Sequence, residues 1–267
     1  MKTIIVATDF SDIANNAVNY AAHFARDLKH KLVLFHLHKL STHEANALIN
    51  TVDINQMVSK KRATYEKYAT DLSAEFSIQV AMEICTGDFL DELKMIVDKY
   101  SGDMLVLGMP PKSFEQDLLG NTTTEAIYKF KFPILSVPAT AQYKGIKRIL
   151  FACDLNKEIQ DTVLVQVQEY ALALNAEVEV FYVGDAVKKV KERARVEKSL
   201  VDIIYHYKNE PSSDSVIEAI LKEANIFKAD VLIMIPYKYG FWESVVHISK
   251  TRAVASNGVI PLLSIFN

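Results

Sequence analysis

The sequence predicts an α/β protein made of two tandem doubly wound domains, 1–140 and 145–267, and three observations predict it. Short runs that are apolar at nearly every position alternate with stretches of helical periodicity. That is the pattern of parallel strands covered by helices on both faces. The opening run Thr3-Ile4-Ile5-Val6-Ala7-Thr8-Asp9 recurs as Arg148-Ile149-Leu150-Phe151-Ala152-Cys153-Asp154. Two late segments recur as well, Asp103-Met104-Leu105-Val106-Leu107 as Asp230-Val231-Leu232-Ile233-Met234 and Phe132-Pro133-Ile134-Leu135-Ser136-Val137 as Ile260-Pro261-Leu262-Leu263-Ser264-Ile265. Repetition over that length means one unit used twice, so any site can be compared with its own duplicate.

In the first half, strands are expected at 3–8, 31–37, 78–85, 103–108 and 133–137. After the first comes a helical stripe of Ile13, Ala14, Ala17, Val18, Ala21, Ala22 and Ala25. Ser41-Thr42-His43-Glu44 has the capping-box spacing, with Ser41 capping and Glu44 returning the bond. Leu90, Leu93, Ile96 and Val97 mark a further helix after Gly87. The short polar stretch from Pro138 to Gly145 reads as the domain linker. Second-half strands are expected at 147–153, 177–183, about 203–208, 230–235 and 260–265. Ser215-Val216-Ile217-Glu218 is a second capping box, ahead of the stripe Ile217, Ile220, Leu221 and Ala224. The Lys-, Arg- and Glu-rich segment 185–200 fits a solvated helix face or a partner-binding patch.

Composition narrows the function classes. The 267 residues suffice for two cores, with 50% hydrophobic and 24% charged residues. A net charge of −3 leaves no broad basic field, so nucleic acid is not an expected partner. No apolar stretch approaches the roughly 20 residues that span a bilayer, so no membrane association is expected. Met1-Lys2-Thr3 runs directly into a strand pattern without a signal-like apolar region, and a cytoplasmic location is expected. Cys85 and Cys153 lie in strand-like runs of different halves, and are expected as buried reduced thiols.

Open α/β sheets bind ligands beyond the carboxyl ends of their strands, where the strand order reverses. Asp9 ends the first strand and Gly108 the fourth, and the loop after Gly108 leads to Gly120-Asn121-Thr122-Thr123-Thr124 and a helix. Glycine admits close backbone approach, and the first N–H groups of a helix lack partners. The segment is therefore an anion cradle, with Thr122 and Thr123 adding hydroxyl donors, or an ordinary helix cap. His36 and His38 share a strand face, which suits two metal ligands or a structural role, and no third ligand is evident. Glu83, Asp88, Asp91 and Glu92 form no defined acid/base pair, and no GxxxxGK[ST] phosphate loop occurs.

Val6-Ala7-Thr8-Asp9-Phe10-Ser11 resembles the opening of the universal stress protein family. Val106-Leu107-Gly108, Gly120-Asn121-Thr122 and Phe132-Pro133-Ile134-Leu135-Ser136-Val137 resemble its closing part. The resemblance spans the chain in two copies. It implies a five-stranded parallel sheet of order 3-2-1-4-5 in each domain, and pairing of domains through the last strand. It also implies an intramolecular pseudo-dimer, further homodimerisation, and an adenine nucleotide such as ATP, with or without Mg²⁺, as ligand. Carried over by position, Ala7, Asp9 and Leu37 match the adenosine side of the family's site. Gly108, Gly120, Asn121, Thr122 and Thr123 fall on its phosphate loop. Pro111 replaces the second glycine of that loop, the spacing to Gly120 is one residue short, and Asn121 stands where Ser or Thr is usual. Proline lacks an N–H and holds φ near −65°, so the phosphate side is altered.

The second copy keeps Asp154 but places Ile235 at the Gly108 position and Ile248-Ser249 at the Gly120-Asn121 position. A β-branched side chain there is expected to block phosphate, leaving this half without family-type nucleotide binding. Tyr237, Tyr239, Phe241 and Trp242 cluster nearby, as interface packing or as a separate pocket. The expected function is stress-response binding of adenine nucleotide by the first domain, with slow hydrolysis at most. The rival reading is a scaffold of the same fold that binds no nucleotide. An enzyme of the related adenine-nucleotide α-hydrolase group would need a Ser/Gly-rich loop after the first strand, which Thr8-Asp9-Phe10-Ser11-Asp12 lacks.

Overall fold

The computed structural model describes residues 1–38, 51–109, 132–155, 158–183, 196, 198–200, 204–210, 216–236 and 260–266. By compactness the chain divides into two units, Met1–Gly108 and Met109–Asn267.

The first unit alternates strand and helix: β1 (Thr3–Ala7), α1 (Asp12–Leu28), β2 (Lys31–Leu37), α2 (Thr51–Phe76), β3 (Val80–Cys85), α3 (Phe89–Tyr100) and β4 (Met104–Met109). β1 lies between β2 and β4 and β2 pairs with β3, all in parallel. The strands are nearly continuous apolar runs because both faces are covered. Ile4, Ile5, Val6, Leu32, Leu34, Phe35, Leu105 and Val106 have no exposed surface, and burying each such side chain contributes roughly 1.5–3 kcal/mol. Alternation along β2 sends Phe35 to Phe89 of α3, at 5.6 Å between ring centres, and His36 to Tyr65 of α2, at 5.1 Å. The sheet is thus helix-covered on opposite faces.

Local signals set the helix ends. Ser11 caps α1, its Oγ accepting the Ala14 N–H at 3.3 Å. Lys29, in the left-handed region at φ 56°, ends α1, and the Lys29 and His30 N–H groups close onto the Arg26 and Ala25 carbonyls. Asp88, directly after Gly87, caps α3, accepting N–H groups from Leu90 and Asp91. The Ser41 capping box and the Ser215 cap lie outside the described residues.

The second unit holds β5 (Ile134–Pro138), β6 (Arg148–Ala152), α4 (Asp161–Leu174), β7 (Glu177–Val183), β8 (Tyr205–Glu210), α5 (Val216–Phe227), β9 (Val231–Met234) and β10 (Leu262–Ser264). The first unit has the strand order β3-β2-β1-β4, and in the second unit β6 to β10 run in the order 3-2-1-4-5. Within the second unit β10 is parallel to β9 and antiparallel to β5, with Leu263 opposite Leu135. The last strands of the two sequence repeats therefore pair directly. This bond explains why β5 clusters with the second repeat although its sequence ends the first.

Duplication extends to single bonds. Asp103 accepts the Thr3 N–H at 2.7 Å, holding the start of β1. Asp230, its duplicate, accepts the Lys147 and Arg148 N–H groups at 2.7 and 2.9 Å, holding the start of β6. The recurring aspartate before each fourth strand thus ties down the first strand beside it.

Among the described residues no helix is long and apolar enough to cross a membrane. Neither cysteine forms a disulfide. Cys153 is buried, whereas Cys85, at the end of β3 against α3, is half-buried rather than fully buried as expected.

Candidate functional site

In the first unit the chain leaves β1 toward β2 and β3 on one side and returns as β4 on the other, so the crevice at the carboxyl ends of β1 and β4 is the switch point. Ala7 is the half-buried last residue of β1. Asp9 follows on an exposed turn, its Oδ1 accepting the Ser11 N–H at 2.9 Å. Burial pushes the Asp9 carboxyl upward, but hydrogen bonds from the Ser11 side chain and from the Ser11 and Asp9 N–H groups outweigh it. The neighbouring His36 adds to them, and Asp9 is held below the usual carboxylate range. The site therefore presents a fixed anion at neutral pH. Such a group accepts hydrogen bonds from sugar hydroxyls or an amino group, and repels phosphate from its own edge.

Leu37 ends β2 and is half-buried. Gly108 lies in β4, and a Cβ there would sit 3.0 Å from the Ile13 carbonyl oxygen and 3.1 Å from Ile13 Cγ2. The glycine has a packing role before any ligand role, because it admits the first turn of α1. Ala7, Asp9, Leu37 and Gly108 thus meet at the carboxyl ends of β1, β2 and β4. Gly120, Asn121, Thr122, Thr123 and Pro111 lie outside the described residues.

The same edge carries an aromatic cluster that the sequence reading missed. Phe10 stacks on Tyr65 with ring centres 4.4 Å apart and planes 6° apart. His36 lies 4.9 Å from Phe10, and Tyr68 meets Phe10 edge-on at 5.8 Å. Phe10 adopts φ 62°, a left-handed conformation that costs a non-glycine residue roughly 1–2 kcal/mol. Its N–H donates to Thr8 Oγ1 and its carbonyl accepts from Asn15 Nδ2, both at 3.0 Å. Backbone strain of this kind accumulates at functional edges. Tyr65 and Tyr68, spaced i and i+3 on α2, were the available signal. His36 is 7% exposed and its Nδ1 lies 2.8 Å from the Thr8 carbonyl oxygen. That contact ties β2 to the Asp9 turn. His38 is 6.2 Å from His36 between ring centres, and among the described residues no group of three or more ligand types stands ready for a metal.

The duplicate differs where it matters. Register aligns Ile4–Met104 with Ile149–Val231, and so Gly108 with Ile235. Ile235 is 3% exposed, so a branched side chain is buried at the position matched to Gly108. Asp154 is half-buried after β6. Ile248, Ser249 and the cluster Tyr237, Tyr239, Phe241 and Trp242 lie outside the described residues.

The sequence model of the universal stress protein family matches residues 1–138. A universal stress protein from Archaeoglobus fulgidus superimposes with a TM-score of 0.74 at 16% identity, over 99% of this chain and 98% of that one. A functionally unknown protein from Pseudomonas aeruginosa superimposes with a TM-score of 0.55 at 13% identity, over 100% of this chain and 92% of that one. At these identities the superpositions show the fold. No curated protein matches the chain.

Proposed function

Because this chain belongs to the universal stress protein family, we propose that its first repeat, 1–140, binds an adenine nucleotide and acts through that binding rather than through rapid catalysis. The observation that carries this reading is the placement of an ionised Asp9 and a Cβ-free Gly108 at the ends of adjacent strands, at the switch point. Asp9 receives the ribose hydroxyls and Leu37 with Ala7 flanks the base. Gly108, Gly120, Asn121, Thr122 and Thr123 receive the phosphates. The second repeat, 145–267, is a domain of the same fold without a nucleotide, since Ile235 fills the glycine position. Pairing of β5 with β10 supports an internal pseudo-dimer of the two repeats. A cytoplasmic homodimer built on it is part of the same reading.

Calorimetric titration of nucleotide-stripped protein with ATP, ADP and AMP, with and without Mg²⁺, tests it. One binding site is expected, lost in Asp9→Ala and in Gly120→Val. A folded protein giving no heat with any of the three would refute it. The chain would then be a scaffold of the same fold, the alternative that Pro111 and the shortened loop favour.

A further inference from the structure

The internal duplicate exposes a cluster that the candidate site does not use. Glu179, third residue of β7, is 8% exposed, and Glu223, eighth residue of α5, is 3% exposed. The Glu179 carboxyl hydrogen-bonds Glu223, and Glu223 Oε2 pairs with Lys208 Nζ on β8. Among the described residues Glu179 Oε1 is buried with no hydrogen-bond partner. His206 stands opposite it on β8 and the apolar Leu150 opposite it on β6. Further along that face Arg148 bonds Glu177 at 2.9 Å and His206 lies 3.4 Å from Glu177, a row that satisfies itself.

In the first unit the places of the two carboxyls are apolar, while that of Lys208 holds Glu83, which pairs with Lys99 at 2.7 Å. Register and helix position match Glu179 with Val33, His206 with Ala81 and Glu223 with Ile96. Val33 is 1% and Ile96 4% exposed. A fold that closes here with aliphatic side chains does not need two carboxyls, whose burial costs stability unless they are paired.

We propose that Glu179, Glu223 and Lys208 form a proton-operated latch holding α5 on its sheet. With a proton between the carboxyls, one carboxylate faces one ammonium and the cluster is neutral. Removing the proton leaves two buried carboxylates against a single ammonium, and α5 is pushed off. Burial, then the Glu223 carboxylate, pushes the Glu179 carboxyl from 4.5 up to about 7. A carboxyl raised in the closed state binds its proton more tightly closed than open. The contribution of the latch is therefore complete below 4.5 and is lost as pH rises through about 7. Between about pH 6 and about pH 8 this linkage makes opening of α5 about tenfold more frequent.

Hydrogen exchange on the full chain at those two pH values, corrected for intrinsic rates, tests the latch. Protection of 216–227 is expected to fall about tenfold with rising pH, while 89–100, the apolar duplicate, does not share the fall. Glu179→Gln keeps the shape without the charge and is expected to abolish the fall. If that variant does not fold, Glu179→Val with Glu223→Ile restores the first unit's residues and is expected to do the same. Wild-type protection of α5 that does not change with pH would overturn the proposal, as would an equal fall in either variant.

Discussion

Ser136 and Ser264 are duplicates on the two strands that join antiparallel in the second unit, and both are fully buried. Among the described residues neither Oγ has a hydrogen-bond partner. Ser136 stands opposite Leu262 and Ser264 opposite Ile134, so each hydroxyl faces an apolar neighbour across the ladder. A buried, unsatisfied hydroxyl costs roughly 1–3 kcal/mol. Alanine removes that cost and only one atom's worth of contact, so Ser136→Ala and Ser264→Ala are each expected to stabilise the chain by about 1 kcal/mol. In a chain of this size that raises Tm by roughly 2–4 °C. Urea unfolding should show a higher midpoint at unchanged slope. With no shared partner, the double variant should equal the sum of the singles within about 0.5 kcal/mol. A loss of more than about 1 kcal/mol in either single variant would refute the reasoning. So would strong coupling, because it would mean that the hydroxyls are satisfied through each other.

Gly108→Ala is expected to destabilise the chain by roughly 1–3 kcal/mol, read by thermal unfolding, because the crowding atom is the Ile13 carbonyl oxygen at 3.0 Å and backbone cannot swing away. A neutral result would mean that β4 and α1 separate easily. Burial, then the hydrogen bond to Glu92, pushes the Cys85 thiol up to about 11. Only about 10⁻³ of it is thiolate at about pH 8. Iodoacetamide labelling of its peptide, followed by mass spectrometry, should be slow near neutrality and faster in Glu92→Gln.

The fold was legible because its signal is redundant. β1, β2 and β4 are buried on both faces, so Thr3–Ala7, Lys31–Leu37 and Met104–Met109 read as apolar runs without alternation. The repeat then vouches for the weaker members. Leu262–Ser264 is only 3 residues long, yet its likeness to Phe132–Val137 identifies it. Boundaries were less legible where caps decide them. The sequence offers Gly87 as the break before α3, but the Asp88 carboxylate satisfies the orphan N–H groups and starts the helix. Nor does apolar patterning reveal Cys85 as half-buried, since the strand holding it is partly exposed along its whole length.

Of the candidate site, Asp9 just beyond β1 and Gly108 near the end of β4 were legible, and Phe10 was not, because its place depends on a positive φ and on Tyr65 55 positions along the chain. Phe10 read from sequence is one more apolar residue in a turn. The converse error is to read every departure between the repeats as decay. Ile235 for Gly108 puts a buried branched side chain where the first repeat has none, and on the proposed reading that is a loss of phosphate approach. Glu179 for Val33 and Glu223 for Ile96 are different, because each puts a costly group where an aliphatic one already packs. Decay from a packed core would leave such carboxyls scattered and unmatched. Here the two carboxyls meet each other, and a lysine from a third element pairs with Glu223 and acts by its charge on Glu179. Three differences from the first repeat, on three elements, thus form one connected cluster. On the proposed reading, the second repeat carries an ionisable cluster beneath α5 where the first repeat packs Val33 and Ile96.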